Sequence, residues 1–125
     1  MSIQELQQRF KEYAVAIVKF AEALPYAPGF RTIRNQIVRS GPSAAANYRA
    51  ACRARSTADF INKMGIVEEE LDETMFWLEF TLCLSEERRS IAGPLLKEGN
   101  ELLSITVASI VTAKKTRSPT SKSQP

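Results

Sequence analysis

The sequence contains no histidine and only two cysteines, Cys52 and Cys83, among its 125 residues. Sites that use histidine as a metal ligand or general base are therefore excluded, and two cysteines this far apart match no zinc-binding spacing. A glycine-rich phosphate loop is also absent. The sequence therefore predicts a protein that is not an enzyme and has no catalytic residue, cofactor or metal site.

Glycine and proline are scarce enough to leave long windows of good helix formers, since there are only five glycines and six prolines. A chain of this length can bury one hydrophobic core without needing disulfide bonds or metal ions for stability. We expect one all-α domain at residues 1–114. Residues 115–125, KTRSPTSKSQP, have no apolar side chain and are expected to form a disordered basic tail.

Long hydrophobic runs are also missing. The most apolar window, residues 75–84, is about half of the roughly 20 residues that a membrane-spanning helix needs, and it contains Glu79. Polar and charged residues interrupt the N-terminal region, which excludes a secretion signal there. The sequence predicts a cytoplasmic protein with reduced thiols and no membrane contact.

Hydrophobic spacing predicts four helices. The first, about residues 2–24, has apolar residues at alternating spacings of three and four, and Pro25 ends it. The second begins near residue 30, the third runs from residue 57 to about residue 84, and the fourth runs from residue 85 to about residue 113. This pattern predicts an antiparallel, up-down-up-down four-helix bundle.

Two glycine–proline pairs fall within predicted helices. Gly41 and Pro42 predict a kink or a local break in the second helix, because both residues disfavour a regular helix interior. Gly93 and Pro94 predict either a kink in the fourth helix or its true start. The fourth helix is expected to bury an apolar stripe made of Leu96, Leu102, Leu103, Val107, Ile110 and Val111.

Small residues dominate the centre of the second helix, residues 40–47. They predict a close approach by a neighbouring helix. Ser43 and Asn47 are expected to be polar residues within that close packing, where Asn47 needs hydrogen-bond partners if it is buried. A ligand-contacting role for these two residues remains the alternative.

Charge is strongly segregated along the chain. Residues 30–55 carry six arginines and no acidic residue, whereas residues 56–87 carry nine acidic residues against Lys63 alone. Opposite charges on adjacent helices favour pairing within or between chains. The alternative is an external polyanion, for which the candidate nucleic-acid-binding residues are Arg39, Arg49, Arg53 and Arg55.

Carboxylates on the third helix allow a second interpretation. Glu69 and Glu73 are one helical turn apart and could hold a metal ion or take part in acid–base chemistry. Without histidine, the di-metal site of ferritin-like bundles is excluded. Pairing with the arginines of the second helix, or a solvated face, is the favoured interpretation.

The third helix has apolar residues on two faces. Phe76, Phe80 and Cys83 follow one another at spacings of four and three, opposite the bundle seam, and Trp77 flanks them. A four-helix monomer leaves the outer side of each helix in solvent. These four residues are therefore predicted to form an interface between copies of the chain.

The segment RSGPSAAANYRAACRARSTADFINKMGIVEEELDETMFWLEF resembles the signature block of small bacterial four-helix-bundle proteins, some of which are encoded within intervening sequences of large-subunit ribosomal RNA genes. The resemblance extends over about residues 20–115. Its most specific positions are Arg39, Ser40, Ser43, Ala46, Asn47, Arg53, Ser56, Phe60, Glu69, Glu73 and Trp77. Pro42 stands where threonine or alanine is expected.

The resemblance implies a left-handed antiparallel bundle that assembles into a homopentameric ring. Distant relatives act as basic partners of a reverse transcriptase in diversity-generating retroelements, and no family catalytic residues can be carried over. The leading hypothesis is therefore an oligomeric accessory factor that binds RNA, DNA or a protein bound to nucleic acid. The alternative is a protein–protein assembly module that does not bind nucleic acid.

Overall fold

The computed structural model describes the backbone of residues 1–123 and the side chains of residues 1–116. The helices are α1 (Ile3–Glu22), α2 (Pro28–Cys52), α3 (Thr57–Leu84) and α4 (Arg89–Ser123), and a 3-10 turn (Glu86–Arg88) precedes α4. There is no strand in this part of the chain. The predicted all-α four-helix bundle is confirmed, and its left-handed sense stays a prediction.

Serines cap two of the helices. The Ser2 hydroxyl accepts the Glu5 backbone N–H at 3.0 Å, and the Glu5 carboxylate accepts the Ser2 N–H at 2.9 Å, which satisfies two amide donors at the start of α1. The Ser56 hydroxyl accepts the Asp59 N–H at the start of α3. Helix α2 begins at Pro28, because proline in the first turn sacrifices no helical hydrogen bond.

Helix α2 is continuous from Pro28 to Cys52, so the local break allowed by Gly41 and Pro42 is not present. Both α1 and α3 pack against this region, α1 at Gly41 and α3 at Ser40. Helix α4 likewise runs through Gly93 and Pro94 and begins before them, at Arg89. Tertiary packing therefore outweighs the low helix propensity of both pairs.

The predicted tail falls partly on α4, whose backbone is helical as far as Ser123. The side chains of residues 117–125 and the backbone of residues 124–125 lie outside the described part of the chain. The domain boundary at residue 114 and the disorder of residues 115–125 stay predictions.

The core is a single cluster contributed by all four helices. Phe10 stacks on Tyr48 with ring centroids 4.7 Å apart, and Ile17, farther along α1, lies against Gly41, which is earlier in α2. These two helices therefore run in opposite directions. No helix in the described residues has a segment apolar and long enough to span a bilayer.

Candidate functional site

The centre of α2 makes close contacts with both neighbouring helices. A methyl group added at Gly41 would lie 2.8 Å from Cγ2 of the buried Ile17, so only glycine permits this approach of α1. On the other side, the Ser40 hydroxyl lies 2.7 Å from the Thr74 hydroxyl of α3, and both residues are fully buried. The small residues therefore do bring neighbouring helices close.

Ser43 and Asn47, the polar residues predicted within this close packing, are less buried than Ser40 and Gly41. Both residues are half-buried. The Asn47 side-chain amide donates to the Ser43 backbone oxygen at 2.9 Å and to its hydroxyl at 3.1 Å. Ser43 and Asn47 are one turn apart on α2, so these bonds satisfy the Asn47 side-chain amide within the helix. The buried polar residue of α2 is Ser40.

Arg39 is held by carboxylates of α3. Its guanidinium donates to Glu70 at 3.0 Å and to Glu73 at 2.6 Å. The Trp77 indole N–H also donates to Glu73, at 3.3 Å. The pKa of Glu73 is lowered below its ordinary value, mainly by the hydrogen bond from Arg39. Partial burial opposes this shift, and the hydrogen bond from Trp77 adds to it. This predicted nucleic-acid-binding residue is thus engaged within the chain, as the pairing interpretation anticipated.

The other three predicted nucleic-acid-binding residues, Arg49, Arg53 and Arg55, have a different environment. All three are exposed, and none forms an ion pair with an acidic side chain of residues 1–116. Arg49 lies in the last turn of α2, Arg53 caps that helix, and Arg55 is in the loop before α3. Together they form what we call the arginine end of the bundle.

The carboxylates of α3 do not form a metal site in the described residues. Glu73 is occupied by Arg39 and Trp77, while Glu69 is exposed. Nowhere in this part of the chain do three or more histidine, cysteine or acidic side chains come together in a way that could hold a metal ion.

One group of residues on α3 is what we call the aromatic stripe, made of Phe76, Trp77, Phe80 and Cys83. Phe76 is 51% exposed and Phe80 is 39% exposed, and Cys83 is a free, exposed thiol. The three rings contact one another, with Trp77 edge-on to both phenylalanines at centroid distances of 4.9 and 5.7 Å. The predicted second apolar face is therefore a preformed cluster that faces outward from the bundle.

A second exposed apolar surface was not recognised from the sequence. A groove of about 500 Å³ runs between α1 and α2, and we call it the α1–α2 groove. Apolar side chains line most of it, among them Ala14, Val15, Val18, Pro42, Ala45 and Ala46. The small residues that face outward from the centre of α2 could have indicated it, because they leave the surface without long polar side chains.

Comparison with known proteins gives the family. The sequence model of the 23S rRNA-intervening sequence protein family matches residues 4–107. The chain belongs to this family. The match covers α1 from its second residue, all of α2 and α3 and about the first half of α4.

A solved structure agrees with the family assignment. It is a protein of unknown function from the S23 ribosomal protein family of Bacteroides thetaiotaomicron, and it is similar to this chain with 31% identity and a TM-score of 0.75. The similarity covers 84% of this chain and 97% of the other. No curated protein matches the chain. This member of the 23S rRNA-intervening sequence protein family therefore shares its fold with a relative of unknown function.

Proposed function

We propose that the chain is a non-enzymatic accessory factor that self-associates and binds nucleic acid, or a protein bound to nucleic acid, through the arginine end. The observation that carries this proposal is the contrast among the arginines of α2. Arg39 is paired with Glu70 and Glu73, whereas Arg49, Arg53 and Arg55 are exposed without an ion pair in the described residues. Guanidinium groups in this state suit phosphate oxygens.

Self-association would strengthen binding by repeating the arginine end around one rigid particle. Each phosphate contact is weak, but linked contacts act together. The exposed aromatic stripe supports self-association, because an outward cluster of this kind is unusual on a monomer. The resemblance implies a ring of five chains. The free thiols of Cys52 and Cys83 suit the reducing conditions of the cytoplasm.

The family name supports an RNA-related role. The matching model is described by its relation to 23S rRNA, and the similar structure by its relation to a ribosomal protein family. We therefore place structured RNA first among the polyanions to test. Binding through phosphate contacts would tolerate changes of nucleotide sequence.

The test measures fluorescence anisotropy of labelled structured RNA, single-stranded DNA and duplex DNA at low salt. Changing Arg53 and Arg55 to glutamate is expected to weaken binding at least tenfold, since each contact becomes a repulsion. The matched control is the double change Arg31→Glu/Lys97→Glu, which alters net charge equally at exposed positions elsewhere. Absence of binding to all three probes at micromolar wild-type protein would overturn the proposal.

The pairing of Arg39 favours a second candidate, a protein–protein assembly module. In that case the cations of α2 serve contacts with α3 and the partner is a protein alone. Two observations together would favour this candidate. The assembled particle binds none of the three nucleic-acid probes, and its ultraviolet absorbance after low-salt purification shows no bound nucleic acid.

A further inference from the structure

The α1–α2 groove and the aromatic stripe lie on different parts of the bundle. The groove is lined by α1 and α2 alone, whereas the stripe lies on α3. Phe76 and Phe80 expose large parts of their rings on the surface, and the groove is a depression. One chain therefore presents both an apolar projection and an apolar recess.

The floor of the groove is a consequence of residue size. On the α2 side of the groove, Pro42 and Ala45 are half-buried and Ala46 is exposed, at positions where the surface of a helix usually carries long polar side chains. On the α1 side, Val15 is 53% exposed although it is apolar and β-branched. The closest helix contacts of α2 are made by Gly41 and Ser40, and of the groove residues on α2 Ala45 also packs against the core.

The charges around the two surfaces are complementary. Lys11 and Lys19 border the groove, with Glu22 as the one acid among its lining residues, and Arg49 of the arginine end lies at the same rim. Asp72 and Glu79 lie one turn from Phe76 on the exposed face of α3, and both are exposed. The recess is therefore mainly cationic at its rim, and the projection carries acidic neighbours.

We propose that the α1–α2 groove receives the aromatic stripe of a second copy of this chain. This inference rests on the self-association proposed above and adds the receiving surface. Because the two surfaces differ, the contact is head-to-tail, and each chain uses its stripe on one neighbour and its groove on another. Repetition of such a contact closes into a ring when the rotation per chain divides a full turn.

Two single-surface variants test the contact by mass in solution. Ala46→Glu places a long acidic side chain on the groove floor, and Phe80→Ser removes part of the projection. Both positions are exposed, so folding is expected to be retained, and circular dichroism checks it. Each variant alone is expected to lose the oligomer and to approach the 14.0 kDa of one chain.

Mixing the two variants distinguishes a head-to-tail contact from a symmetric one. The Ala46→Glu chain keeps an intact stripe and the Phe80→Ser chain keeps an intact groove, so the mixture is expected to form heterodimers but no larger ring. The control Ala108→Glu, an equivalent change at an exposed site on α4, is expected to leave the wild-type mass unchanged.

An oligomeric wild type whose mass survives Ala46→Glu would overturn the groove as the receiving surface and leave nucleic-acid binding untouched. A mixture that stays monomeric while Phe80→Ser alone dissociates would overturn the head-to-tail pairing. A monomeric wild type would overturn both this contact and the proposed self-association, whereas the arginine end is tested separately by Arg53→Glu/Arg55→Glu.

Discussion

The buried hydroxyl of Ser40 donates a hydrogen bond to the hydroxyl of Thr74 across the contact between α2 and α3. The two oxygens are 2.7 Å apart, and the Thr74 hydroxyl itself donates to the Glu70 backbone oxygen at 2.8 Å. Because the one Thr74 hydrogen is used within α3, Ser40 must supply the hydrogen between the helices. The contact therefore has a defined direction.

Replacing Ser40 with alanine is expected to lower the free energy of unfolding by about 1 kcal/mol, the usual net contribution of one such bond. Thr74 keeps its bond to the Glu70 backbone, so no donor is left unsatisfied. Urea denaturation measures the change. The exposed Ser104→Ala is the matched control and is expected to change stability by less than about 0.5 kcal/mol. Equal losses in the two variants would contradict the assignment.

Two glycine-to-alanine changes are expected to have opposite signs. Gly65 lies in α3 with no atom within 4 Å of an added methyl group, so Gly65→Ala stabilises by roughly 1 kcal/mol through helix propensity. At Gly41 the same methyl meets Cγ2 and Cβ of Ile17, a stiff β-branched side chain in the core. Overpacking there costs about 1–3 kcal/mol, which we expect to exceed the propensity gain.

Thermal unfolding of the two glycine variants side by side provides the measurement. A melting temperature raised in Gly65→Ala and lowered in Gly41→Ala supports the close approach of α1 and α2. If Gly41→Ala stabilised the chain as much as Gly65→Ala does, the contact with Ile17 would have to be looser than described.

The Arg39–Glu73 pair predicts a pH-dependent stability difference. Arg39 lowers the pKa of Glu73 in the folded chain, so the pair stabilises above the unfolded-state value, about 4.3, and this contribution is lost as pH falls through the folded value. Arg39→Gln is expected to cost at most about 1 kcal/mol at pH 7, because the pair is partly exposed and screened.

Urea denaturation at pH 7 and at pH 3 measures that difference between wild type and Arg39→Gln. It is expected to shrink at the lower pH. Arg31→Gln, at an exposed arginine with no ion pair in the described residues, serves as the control and is expected to show no such change. If the stability difference between wild type and Arg39→Gln instead grew at the lower pH, the expected direction of the pKa shift of Glu73 would be wrong.

The salt dependence of nucleic-acid binding reports which arginines contact phosphate. Each phosphate contact contributes about 0.9 to the slope of log K against log salt for duplex DNA. Arg53→Gln/Arg55→Gln is expected to reduce this slope by up to about 2 for each bound chain. Arg39→Gln is expected to leave it unchanged, because its guanidinium is held by Glu70 and Glu73.

Charge exchange tests the electrostatic part of the groove contact. Lys11→Glu/Lys19→Glu is expected to weaken the oligomer and to shift its dissociation to higher protein concentration. Asp72→Lys/Glu79→Lys is expected to do the same from the stripe side. Combining all four changes restores opposite signs, so analytical ultracentrifugation should show the oligomer regained. No recovery in the combined variant would show that these charges do not face one another.

Periodicity was sufficient to predict most of the bundle core but failed in part of α4. Val107 and Val111 were expected in its buried stripe, yet they are 39% and 46% exposed, while Gly99 and Thr106 are buried instead. Gly99 admits Tyr13 from α1, and Thr106 donates its hydroxyl to the Leu102 carbonyl within the helix. A prediction based on apolar side chains alone does not identify the buried glycine or the buried threonine.

Charge segregation predicted that arginines of α2 would pair with α3 but not which of them. Which arginine of α2 pairs with α3 depends on where along their lengths the two helices face each other. Arg39 faces Glu70 and Glu73 in the middle of α3, whereas Arg53 and Arg55 lie beyond the end of α2, next to the start of α3. The α1–α2 groove was missed for a similar reason, since only the packed structure shows which small residues face outward.

Pro42 gives the groove one further property. Proline has no amide hydrogen, so the backbone carbonyl of Val38, one turn earlier in α2, lacks its usual helical donor. A helix missing one bond opens locally more readily, and backbone amides near the gap should exchange with solvent faster than those of the flanking turns. Covering the groove would shield this point, so hydrogen exchange along α2 would record whether the groove is occupied without any change in sequence.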